Sequence, residues 1–157
     1  MKRPGIAGYP PVMAYVVGIV LAAVLCAFGT IVGLDRERGF YPTQMIVIAL
    51  LYGLFAAMSG STRVLMMESI GITLFILAAV IGFKSNLWIV AIALAGHGVY
   101  DFLHPRLFDN PGAPLWWPQF CGAYDVVAGI YLGLLLKRRR VASSRRSPRP
   151  GSVAPPL

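Results

Sequence analysis

Charge is what this sequence has least of. Only 13% of its 157 residues are charged and six are acidic, whereas 57% are hydrophobic. A soluble domain carries about a quarter charged residues, so an ordinary soluble globular protein is excluded. Histidine and cysteine are almost absent, with two of each: His97, His104, Cys26 and Cys121. Two cysteines in apolar surroundings make no disulfide framework. A dinucleotide-binding glycine fingerprint, a phosphate-binding loop and a nucleophile elbow are also missing, which removes several common enzyme classes.

What fills the space is long apolar runs. They predict an all-α fold, a polytopic transmembrane helix bundle with spans at 12–32, 42–58, 64–83, 87–104 and 118–136. The first run is longer than the apolar core of a signal peptide, and Cys26 lacks the small residue expected just before a lipoprotein cysteine, so it reads as a retained helix. The second run is the shortest and allows a tilted or partly re-entrant course. Pro105 is expected to end the fourth span. A loop from Pro105 to Pro118 follows, with Trp116–Trp117 as an interfacial anchor. Ser85 or Asn86 is the expected N-cap of the fourth helix.

The domain division is residues 1–136 as the helical body and 137–157 as a basic, disordered tail. Lys137 to Arg149 holds seven of the fourteen basic residues and no acid. Counting Lys and Arg beside five spans puts Arg36, Arg38, Lys84 and the tail on one side and Lys2, Arg3, Arg63 and Arg106 on the other. The basic excess predicts a cytoplasmic C-terminus and an N-terminus outside. The tail has no interleaved aromatics, so it reads as a contact for anionic lipids of the bilayer and not for nucleic acid.

Ionisable residues inside apolar spans are costly and mark a site. His97, Asp101 and His104 fall within an arc of about 60° on one helix face. Glu68 and Asp125 are expected at similar depth on neighbouring spans, with Cys121 one turn above Asp125. Two histidines plus carboxylates suit a divalent metal such as zinc, with a position left for water. In that reading His97, Asp101 and His104 are the metal ligands, and Glu68 and Asp125 are catalytic partners acting on an ester or amide of a lipid. The same groups suit a proton, cation or small-solute site in a carrier or accessory subunit. A hydrogen-bonded cluster that only fixes helix packing is the third possibility. Gly96 and Gly98 beside His97, and the spacings Gly29-x₃-Gly33 and Gly129-x₃-Gly133, read as helix-contact faces, either within the chain or in a homo-oligomer.

The order Glu68, then His97-Gly98-Val99-Tyr100-Asp101-Phe102-Leu103-His104, a proline-rich loop and Cys121-Gly122-Ala123-Tyr124-Asp125 resembles a domain-of-unknown-function family of small bacterial multi-pass membrane proteins. The likeness covers roughly Ser59 to Leu136. Members carry a further histidine where this chain has Pro105, which departs from a three-histidine metal centre. The resemblance implies a bacterial inner-membrane protein and these site residues, and it supplies no reaction.

Overall fold

The computed structural model describes residues 11–138. The Lys2–Arg3 lead and the tail beyond Arg138 lie outside the described residues, so the expectations placed on them do too. The chain forms five helices: α1 (Pro11–Val32), α2 (Phe40–Met58), α3 (Thr62–Lys84), α4 (Leu87–Leu107) and α5 (Trp117–Lys137), with a 3-10 turn at Leu34–Arg36. All five are long and apolar enough to cross a membrane. The protein is an all-α transmembrane bundle.

Local chemistry sets the boundaries. Gly33, at φ 84, supplies the left-handed turn after α1. Gly33 is therefore a turn residue and not part of a helix-contact face as its spacing from Gly29 suggested. Ser61 caps α3 through Val64 N–H at 3.4 Å, and Asn86 caps α4 through Trp88 N–H at 3.0 Å. The second helix starts at Phe40, earlier than the sequence suggested. Pro105 does not stop α4. A proline there removes one backbone donor near the helix end, and Phe108 N–H still closes on His104 O at 3.3 Å, so the helix runs on to Leu107. The connecting loop is correspondingly shorter, beginning at Phe108.

In the bundle, α5 packs between α1 and α4, α4 also packs on α3 and less extensively on α2, and α2 packs on α3. Glycines permit the tightest of these contacts. A Cβ on Gly98 would lie 2.6 Å from Gly122 O, and one on Gly129 would lie 2.7 Å from Ala95 N. Backbone meets backbone along the α4–α5 seam, the usual way membrane helices gain packing without a hydrophobic drive. Gly96, by contrast, meets nothing. The core holds Ala22, Cys26, Met45, Ala49, Leu94, Ala128 and Leu132, while Val16, Val20, Ile70, Leu74 and Leu77 face outward. Outward aliphatics on every helix are what hydrocarbon as solvent requires.

The two ends differ in charge. Arg36, Arg38, Lys84, Lys137 and Arg138 gather where α1, α3 and α5 finish, the basic end. The opposite end carries Arg63, Arg106 and the 108–116 loop. At the basic end Arg38 donates to Phe83 O (2.5 Å) and Gly82 O (3.3 Å), closing the free carbonyls at the end of α3. Asp35 is buried there, accepting from Thr30 Oγ1 at 2.8 Å, and Thr30 in turn shares a 2.6 Å hydrogen bond with Tyr131.

Candidate metal centre

Every ionisable residue singled out within the spans is buried: Glu68, His97, Asp101, His104 and Asp125 are each at most 3% exposed. The structure sorts them into two groups. In the deeper one, His97 Nδ1–H donates to Asp125 Oδ2 at 2.7 Å and lies 3.6 Å from Asp101 Oδ2. Ligand atoms of His97, Asp101 and Asp125 all fall within 4.8 Å of one another. In the shallower group, Glu68 Oε1 accepts from His104 Nε2 at 2.9 Å and from Asn110 Nδ2 at 2.7 Å. His104 is thus hydrogen-bonded to Glu68, and Asp125 takes the place beside His97 and Asp101 that the helix stripe had suggested for His104.

Depth follows from helix geometry. His104 stands three residues from the end of α4, Asp101 six and His97 ten. At about 1.5 Å per residue His97 is near the middle of the bundle, deeper than a helix ending at His104 implied. The polar groups form a row running inward from the loop: Asn110, Glu68 and His104, then Asp101 and Cys121, then His97 and Asp125. Cys121 is part of it, its thiol donating to Asp125 Oδ2 at 3.7 Å.

The seam of small residues explains why these side chains meet. Gly98 and Gly122 let α4 and α5 approach, and His97, one position before Gly98, meets Asp125, three positions after Gly122, across that seam. Rings hold the imidazoles. Tyr52 stacks on His104 at 4.3 Å between centroids, and Phe75 meets His97 edge-on at 4.6 Å. Phe108 closes over His104 at 4.7 Å.

Three carboxylate oxygens in the deeper group are left over. Asp101 Oδ1, Asp101 Oδ2 and Asp125 Oδ1 are buried and have no hydrogen-bond partner, and neither has the Tyr52 hydroxyl. The Tyr52 hydroxyl and the Cys121 thiol lie near Asp101, outside the geometry of a formed hydrogen bond. Buried polar atoms are nearly always satisfied, so three acceptors without a formed hydrogen bond around one imidazole make a group that could hold a cation. The spacing suits one. Donor atoms on a tetrahedral ion with bonds of about 2.1 Å lie roughly 3.4 Å apart, and 2.7 and 3.6 Å bracket that value.

Sequence reasoning did not single out Asn110 or Tyr52. Asn110, in the loop, bonds both Glu68 and the Tyr52 carbonyl (3.2 Å). The only signal for it was a polar residue in a proline-rich loop, and for Tyr52 an aromatic in the weakest span. No protein-family model matches the chain, and searches of curated proteins and of solved structures found no match either.

Proposed function

We propose that this membrane protein binds a divalent cation, zinc or a similar ion, through His97, Asp101 and Asp125, and uses it to hydrolyse an ester or amide of a lipid-derived substrate. The observation that carries the reading is the set of orphaned carboxylate oxygens on Asp101 and Asp125 beside His97. One imidazole and two carboxylates give three protein ligands, which leaves a position for water, the pattern of catalytic rather than structural sites. A bound ion would supply an acidified water and polarise a carbonyl. Binding must displace the proton on His97 Nδ1, since the same nitrogen now donates to Asp125, so affinity is expected to fall as pH falls. The Glu68–His104 pair, one to two turns shallower and fixed by Asn110, is placed to exchange protons with a substrate entering from the loop end.

A second reading, a proton or cation relay, is favoured by the row of polar groups leading inward from Asn110. The excess of Lys and Arg at the basic end supports a cytoplasmic location for that end. The resemblance to small bacterial membrane proteins supports the inner membrane.

Elemental mass spectrometry of the detergent-purified full chain separates the readings. The metal reading expects about one ion per chain, lost in Asp101→Asn and His97→Gln. A metal-free wild type that still folds would leave the relay.

A further inference from the structure

A cleft of about 880 Å³ runs beside the bundle, walled by α1 and α2 and floored by α5. It exists because α1 packs on α5 and α2 on α3, so the two walls hardly touch each other. Its sides are aliphatic and aromatic: Leu21, Leu25, Val47, Leu51 and Phe120. Its volume is that of a site for a single small amphiphile. From Phe40 to Leu51 the cleft follows α2 for about 16 Å at 1.5 Å per residue, roughly one leaflet of a hydrocarbon core of ~30 Å. Trp117 packs on Phe55 at 4.8 Å, which sets Cys121, one turn along α5, level with Leu51 at the deep end.

The shallow end lies at the basic end of the bundle and is polar. Arg38 lines it, and among the described residues only two of its five N–H groups are used, on Phe83 O and Gly82 O. Arg36 and Lys84 stand at the same end. Glu37 is the one exposed acid among the described residues there, since Asp35 is buried against Thr30. About one turn deeper, Gln44 lines the cleft with its side-chain oxygen buried and without a partner. With the oxygen turned inward, the amide N–H groups are the end left to face whatever fills the cleft.

We infer that this cleft binds one anionic phospholipid of the leaflet at the basic end, its phosphate on Arg38, its ester carbonyl on the Gln44 amide and one acyl chain between α1 and α2. Charge selects the headgroup. The guanidinium fork suits phosphate, and anionic lipids are drawn to basic surfaces at the membrane. The chain is held by dispersion against walls that would otherwise face a void. This lipid site stands apart from the metal centre, which it approaches only at Cys121.

The test uses the full-length protein, extracted gently, delipidated, and returned to mixed vesicles of phosphatidylglycerol and phosphatidylcholine before native mass spectrometry. Wild type should retain one phosphatidylglycerol, at least tenfold in preference to phosphatidylcholine. Leu25→Trp and Val47→Trp fill the cleft from opposite walls at outward-facing positions, and each should lower retention at least tenfold. Arg38→Gln should abolish the headgroup preference. Unchanged retention in both tryptophan variants, or equal retention of the two lipids by wild type, would overturn the inference. Metal content measured on the same samples keeps the outcomes distinct, because the cleft variants leave His97, Asp101 and Asp125 untouched.

Discussion

The two ends of this bundle handle charge in opposite ways. Toward the loop end, Glu68, His97, His104 and Asp125 point inward, are almost fully buried and are paired across helices. At the basic end, arginines and lysines sit outside the hydrophobic body, and where one turns inward, as Arg38 does, it closes backbone carbonyls. Outside charges orient a helix bundle and anchor it. Inside charges are costly in hydrocarbon and persist for a task. The deeper group goes furthest, because Asp101 and Asp125 keep oxygens without a formed hydrogen bond.

That contrast can be broken most severely at the α4–α5 seam. Gly98→Leu would drive a side chain into Gly122 O and Val126, at 2.6 and 2.8 Å from the first added carbon. Overpacking of this kind costs about 1–3 kcal/mol or more, and here it separates the helices that carry the site. Thermal unfolding in detergent should show the largest loss of any single change, together with loss of the proposed metal binding.

Next come the carboxylates, where two similar substitutions should differ in sign. Asp125→Ala removes the hydrogen-bond partner of His97, and leaving a buried group unpaired costs about 1–3 kcal/mol. Asp101→Asn changes a buried carboxyl group whose oxygens make no formed hydrogen bond, His97 Nδ1 standing 3.6 Å away. Without metal it should leave the protein as stable as wild type or more so, while metal binding is lost. Equal destabilisation by both would mean that Asp101 has an internal partner and that the contrast between the groups is false.

Smaller again is the loop. Asn110→Ala breaks the tie from the loop to Glu68 and to the Tyr52 carbonyl and should cost about 1 kcal/mol. Hydrogen exchange should rise over residues 108–116 while α5 stays protected. The least effect belongs to the basic end, where Lys84→Ala on an exposed residue should change stability by no more than about 0.5 kcal/mol. Lys84→Glu should instead shift the orientation of the flanking helices, read by accessibility of the α3–α4 turn from each side of the membrane.

How far the sequence reveals this depends on the kind of interaction. The five helices follow from run length and hydropathy, and the Asn86 cap follows from capping chemistry. The end of α4 does not: Pro105 loses only the one bond its N–H would make to Asp101 O, and the turn beyond it still closes through Phe108 N–H on His104 O. The stripe His97, Asp101, His104 follows from the helical period, but the partner of each member depends on the rotation and vertical offset of neighbouring helices. Those are set by Gly98 and Gly122, whose role is legible only once α4 and α5 are seen face to face. The convergence of Glu68 and Asp125 on that stripe was expected from depth alone; their division between His104 and His97 was not. The Arg38 cap on α3 joins residues far apart in sequence and has no local signal.

The most direct test of the central claim is cobalt or zinc titration of apo protein in detergent, followed by visible absorption of the cobalt form. One saturable site per chain is expected, with a spectrum of imidazole and carboxylate ligation, weakened as pH falls and abolished in His97→Gln and in Asp101→Asn, with Glu68→Gln still binding. No saturable binding by folded wild type, or binding that survives in both His97→Gln and Asp101→Asn, would contradict it.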